Sequence, residues 1–159
     1  LLERGELVSK RATALVSNLP RHVGERELRH VAGATGWDAA ACELREVDSP
    51  GPGNVLLVEL ESEQVTEVLA SFGEHGIRAE AVADRLVREL RRYLKAGVPV
   101  GEHLPDQLLL PLALAGSGAY STLPLSRHAT TQLDLVRAFL DVPIAVKRVT
   151  EDSCVVRVG

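Results

Sequence analysis

No apolar run in these 159 residues approaches the roughly 18 to 20 positions needed to cross a bilayer, so no membrane span is encoded. The N-terminus lacks an initiating Met and the basic-then-apolar layout of a signal peptide, and the chain is expected to begin inside a longer polypeptide. Only two cysteines occur, Cys42 and Cys154, far apart and without clustered histidines. That spacing excludes a disulfide framework and a zinc site, and a reducing cytoplasmic setting is the default expectation. There is no basic excess either. A net charge of -4 argues against a globally basic nucleic-acid binder, although a local basic face can still meet phosphates. Low-complexity tracts and internal repeats are absent. What remains is 45% hydrophobic and 25% charged, the balance of a chain that folds around a real core as one ordinary domain or two small ones.

Along the chain, residues 12–18 read as a strand and residues 25–34 as the following helix. A second strand falls within 37–47, and the turn formers of 49–54 separate it from strands at 55–60 and 65–72. From 79 to 95, Val82, Leu86, Leu90 and Tyr93 recur at three- and four-residue steps and predict a long helix with one buried face. Gly97 and Pro99 stop it, which places a domain boundary near 97. The order strand, helix, three strands, helix suits a thioredoxin-like layer.

Residues 104–115 are apolar almost all round, which predicts a helix buried inside a larger body, bent by Pro111. A short strand at 120–123, a helix at 129–140 built on Leu133, Val136, Phe139 and Leu140, and strands at 144–149 and 154–158 complete the chain. Roughly 60 residues make a thin core, so this second segment is expected to need a partner.

Two stretches carry the chemistry, residues 102–107 and 126–131, each at a predicted helix start. A histidine such as His128 there feels the positive end of the helix dipole, which disfavours imidazolium and keeps a ring lone pair available as a nucleophile. The same helix end offers free N–H groups to a phosphate, so the site favours a phosphoryl or nucleotidyl intermediate. Surface hydrogen bonding is the plainer role for such a residue. For Asp106 and Gln107, acidic capping of a first turn is the simpler reading. Arg85, Arg88, Arg91, Arg92 and Lys95 are interleaved with Glu80, Asp84 and Glu89 and read as a solvated helix face. Gly116 and Gly118 end a helix and permit a turn.

Residues 19–23 with 25–27, then 51–54, 102–107, 112–116 and His128, resemble the RNA 3'-terminal phosphate cyclases in order and spacing. The resemblance implies an α+β fold: a thioredoxin-like βαβββα insert domain at 1–97, followed at 98–159 by the C-terminal part of a catalytic domain built of βαβαββ repeats. It implies that His128 attacks the α-phosphate of ATP to give a covalent histidine adenylate, which activates an RNA 3'-phosphate for closure to a 2',3'-cyclic phosphate. It also implies help from a divalent metal, Mg or Mn, and a nucleotide pocket at His103, Leu104, Pro105, Asp106 and Gln107. The family usually has Ala where Pro105 stands and often an aromatic where His103 stands. Its other nucleotide contacts come from an N-terminal half that this sequence does not contain, so that half is an expected partner. Two alternatives stand beside the enzyme: a non-catalytic cyclase-like protein of ribosomal RNA processing, and an RNA-binding module.

Overall fold

The computed structural model describes residues 1–159. They form two compact units, one comprising residues 7–62 and 66–91 and the other residues 1–6, 63–65 and 92–159.

The unit at 7–62 and 66–91 is a four-stranded sheet with two helices. Its elements run β1 (Leu7–Ser17), α1 (His22–Thr35), β2 (Cys42–Glu46), β3 (Gly53–Ser62), β4 (Thr66–Phe72) and α2 (Ala79–Ala96), in sheet order β2-β1-β3-β4. β1 and β2 pair in parallel across the α1 crossover, while β1–β3 and β3–β4 are antiparallel. This is the βαβββα thioredoxin-like arrangement. Alternation dictates which face is covered: Ala12, Ala14 and Val16 of β1 share a face with Leu56, Val58 and Leu60 of β3 and Leu69 of β4, all buried. Each fully buried Leu or Val removes apolar surface from water worth roughly 1.5–3 kcal/mol. α1 lies on this face through Gly24, Glu27, Leu28 and Val31. Gly24 is there because a Cβ would sit 2.7 Å from Leu44 Cδ1, 2.9 Å from Val16 Cγ2 and 3.1 Å from Ala14 Cβ. α2 buries Val82, Leu86 and Leu90, and the buried Ser71 hydroxyl donates to the Val82 carbonyl at 2.9 Å.

β1 begins five residues before the predicted strand. Leu7 to Arg11 are exposed, so no buried alternation marks them, and pairing with β3 alone makes them strand. The strand expected within 37–47 occupies its second half, after a 3-10 turn at Ala39–Ala41.

In the other unit the elements are α3 (Pro105–Ala115), β5 (Gly118–Thr122), α4 (Arg127–Phe139), β6 (Ile144–Arg148) and β7 (Cys154–Val158), with sheet order β5-β7-β6 and antiparallel pairs throughout. Val100 adds a parallel bridge to Thr122, which makes the order bridge, helix, strand, helix, strand, strand. Leu109 and Ala113 of α3 and Leu133 and Val136 of α4 pack with Tyr120, Ile144, Val156 and Val158 of the sheet. The helix expected at 104–115 runs through Pro111 as one continuous element and ends at Gly116, whose left-handed φ of 72° only glycine adopts freely. Its expected full burial is not reached within this chain. One face packs on the sheet, while Leu110 and Leu114 join Leu135 and Phe139 of α4 on an apolar outward groove of about 350 Å³. Phe139 is 83% exposed. No helix is long and apolar enough to cross a membrane.

Candidate functional site

The stretches at 102–107 and 126–131 both lie in the second unit, and β5 links them. The backbone N–H of Val100 donates to Ser121 O at 3.2 Å, and Thr122 Oγ1 donates to Gly101 O at 3.3 Å, so the chain entering α3 runs alongside the end of β5. Four residues after that end comes Ser126, the N-cap of α4. Because Val100 runs parallel to β5, both helices depart from the same end of the sheet. Their N-termini, where backbone N–H groups lack helical partners, therefore open on one side of the unit.

At the α3 start, Pro105 occupies the first turn, where its missing N–H costs nothing. The Tyr120 hydroxyl donates to Pro105 O at 2.8 Å in a buried bond that fixes the approach to the helix. Burial pushes the Tyr120 phenol up to about 12, with Cys154 and Asp106 adding repulsion, so it remains a donor at any physiological pH. The Asp106 carboxylate accepts the Gln107 backbone N–H at 2.9 Å, and Gln107 Nε2 donates to His103 O at 3.0 Å. The first-turn role read for Asp106 and Gln107 is thus occupied by the helix itself. His103 and Gln107 are exposed, Leu104 and Asp106 are half-buried, and Pro105 is buried.

At the α4 start, Ser126 Oγ accepts the Ala129 N–H at 3.2 Å, the ordinary N-cap bond. Thr130 closes the turn from the other side, its N–H donating to Ser126 O at 3.0 Å and its hydroxyl to Arg127 O at 3.0 Å. Ala129 is buried and anchors the turn, while Arg127 and His128 are exposed. The His128 ring therefore stands at solvent in the first turn. The cap satisfies Ala129 and leaves the backbone N–H groups of Arg127 and His128 available to an anion. No three His, Cys, Asp or Glu converge in a group that could hold a metal ion.

Sequence reasoning did not assign Tyr120, Thr122 and Ser126 their supporting roles. Ser126 was legible as a capping residue before a periodic run. The Tyr120 and Thr122 bonds join residues 15 and 21 apart, and nothing in a linear pattern marks them. Of the basic residues of α2, Arg85 pairs with Glu74 at 2.5 Å, Arg92 with Glu102 at 2.5 Å and Lys95 with Asp152 at 2.7 Å, and Arg91 donates to Ala34 O at 2.8 Å, so these partners lie off the helix and not among the interleaved Glu80, Asp84 and Glu89. His30 is half-buried with Nε2 2.6 Å from Asp84.

Residues 2–95 match the family described as "RNA 3'-terminal phosphate cyclase (RTC), insert domain". The chain is 45% identical over 148 residues to the RNA 3'-terminal phosphate cyclase of Ectopseudomonas mendocina, a match covering 92% of this chain and 43% of that protein. It is 43% identical over 160 residues to the protein of the same name from Salmonella enteritidis, covering 100% of this chain and 46% of that protein. The Koribacter versatilis protein of that name is 38% identical over 155 residues, covering 97% and 43%. The chain thus spans less than half the length of these relatives and corresponds to a C-terminal portion of them. On these grounds the chain belongs to the RNA 3'-terminal phosphate cyclase family.

Proposed function

We propose that this chain is the histidine-bearing portion of an ATP-dependent RNA 3'-phosphate cyclase, with residues 1–97 as the insert domain, residues 98–159 closing the catalytic domain, and His128 as the nucleophile. The observation that carries the proposal is the first turn of α4, where a solvent-facing imidazole stands beside two unclaimed backbone N–H groups at the positive end of a 13-residue helix. An imidazole lone pair attacks the α-phosphorus of ATP, the bond to the bridging oxygen breaks, and pyrophosphate leaves with the electron pair. The free amides of Arg127 and His128 stabilise the charge that builds on the α-phosphate oxygens. The RNA 3'-phosphate oxygen then takes the adenylate from His128. The neighbouring 2'-hydroxyl attacks the terminal phosphorus, releases AMP, and gives its proton to solvent. The balance is ATP consumed, AMP and pyrophosphate formed, and one phosphoric ester bond made, which is ligase chemistry.

His103, Leu104, Pro105, Asp106 and Gln107 form one wall of the nucleotide pocket in this reading, with the exposed His103 ring placed to stack on adenine. A divalent metal, Mg or Mn, would neutralise triphosphate charge. The residues of this chain do not fit a metal cage of their own, since no acidic or imidazole cluster exists and Asp106 is bonded to its helix amide. The N-terminal half of the cyclase is the expected partner. The outward groove of Leu110, Leu114, Leu135 and Phe139 supports this, because an uncovered apolar patch of that kind marks an interaction surface. Two free cysteines suit a cytoplasmic setting.

The test supplies α-labelled ATP and Mg to this chain completed with the N-terminal portion of the Ectopseudomonas relative. Transfer of label to protein that disappears in His128→Ala supports the assignment. Undiminished label in that variant rejects it, and a variant that also loses its circular dichroism is replaced by His128→Asn.

A further inference from the structure

The two helices of the first unit cover one face of its sheet, and the other face carries a feature that the adenylylation site does not use. Register places Leu15, Val55 and Phe72 in one row across β1, β3 and β4. The next row holds Ser17 opposite Gly53. These residues, with Val47 and Ser49, line a concavity of about 310 Å³. Its floor is apolar: Leu15 and Val55 are half-buried, and the Phe72 ring is 62% exposed. Its inner end is polar. Ser17 is 94% buried by its 6% exposure, and its hydroxyl has no hydrogen-bond partner. A Cβ added at Gly53 or Gly51 would meet nothing within 4 Å, so the backbone there is open to a flat group.

The rim is preorganised. Asn18 adopts a left-handed φ of 49°, unusual for a side-chain-bearing residue, and its amide donates to Ser49 O at 2.9 Å and Gly51 O at 3.3 Å. Ser49 Oγ donates to Gly51 O at 2.7 Å and fixes the same turn.

We propose that this concavity binds one unpaired nucleobase of an RNA strand, stacked on Phe72 with its polar edge toward the inner end at Ser17. The proposal rests on the RNA-substrate reading above and deepens it, since it gives the insert domain a hold on the strand whose 3'-phosphate is processed. An exposed aromatic on an open sheet face is how sequence-tolerant single-strand binders seat bases. A partner protein segment would satisfy the apolar floor but leaves unexplained the unpartnered polar atom of Ser17 at its inner end. This face has no basic excess, since Glu61, opposite Ser9, shares it with the two charge pairs. Arg11 stands opposite Glu59, and Arg45 pairs with Glu43 at 2.7 Å. Binding here therefore comes from stacking more than from phosphate contacts, and its salt dependence is shallow.

The experiment titrates a fluorescein-labelled hexaadenylate bearing a 3'-phosphate into the 159-residue chain, followed by anisotropy. Phe72→Ala is expected to weaken binding about tenfold, equal to about 1.4 kcal/mol, and an abasic hexamer is expected to bind as poorly as that variant does to the intact RNA. Phe72→Trp should restore it, and Phe72→Leu serves if the Ala variant fails to fold. Equal binding by wild type and Phe72→Leu, equal binding of the abasic strand, or a salt slope like that of a phosphate binder overturns the proposal. If base binding holds while labelling of His128 fails, the cyclase reading falls and the base site stands. If labelling holds without base binding, the base site falls alone.

Discussion

Raising the pH from 5 to 8 should destabilise the first unit through a single carboxyl group. Glu27 lies on the sheet-facing side of α1, fully buried, with Oε1 accepting Asn54 Nδ2 at 2.5 Å and Oε2 without a partner. Burial penalises the charged form and pushes the carboxyl up to about 7 from an ordinary 4.5, the Asn54 bond opposing only part of that shift. Because the folded state holds its proton more tightly than the unfolded chain, stability is greatest below about 4.5 and is lost as pH climbs to about 7. A displacement of that size is worth on the order of 3 kcal/mol. Trp37, the only tryptophan, belongs to the same unit and is nearly buried, so its fluorescence in urea reports this unit alone. Glu27→Gln keeps an acceptor for Asn54 and removes the titration. With an m-value of about 1–3 kcal/mol/M, the wild-type midpoint should fall by about 1–3 M relative to the variant between pH 5 and pH 8. Every other titrating group is common to both proteins and cancels in the difference. Parallel midpoints across that range would show that the buried carboxyl is solvated or paired in a way that contradicts this reasoning.

Three further outcomes follow from packing and caps. Gly24→Ala forces a methyl against Leu44, Val16 and Ala14 and should lower stability by about 1–3 kcal/mol despite the better helix propensity of alanine, as read by urea denaturation. Tyr120→Phe strips the buried Pro105 carbonyl of its donor and should cost about 1–3 kcal/mol in the second unit, measured by calorimetry. Ser126→Ala removes the α4 cap and should cost about 1 kcal/mol, with faster amide exchange at Ala129 as the local signature.

How legible the protein is in its sequence depends on the range of the interaction that decides each element. α2 was readable because its stripe of Val82, Leu86, Leu90 and Tyr93 is local, and all four are buried. Residues 7–11 of β1 were invisible because their strand state comes from pairing with β3 some 50 residues away. The bridge at Val100 involves a single residue beside a helix stop, too short for any period to show. Glu27 falls on the stripe of Gly24, Leu28 and Val31, which marks it as inward-facing, yet its partner Asn54 could be found only from the fold. In the candidate site, both helix starts were legible from Pro105 and Ser126. That they share one end of a sheet follows only from the parallel bridge to Thr122. The outward apolar face of α3 was legible as a helix wanting cover on every side.

The claim on which the functional account rests is that the imidazole of His128 accepts the adenylate. The direct measurement is to incubate the completed cyclase with ATP and Mg in the absence of RNA, digest it, and locate the modified residue by mass spectrometry at alkaline pH, where a phosphorus–nitrogen bond survives. The account predicts AMP on the peptide containing His128 and its loss on brief acid treatment. An adenylate on a lysine, on His103 or on any other side chain, with His128 unmodified, would contradict it.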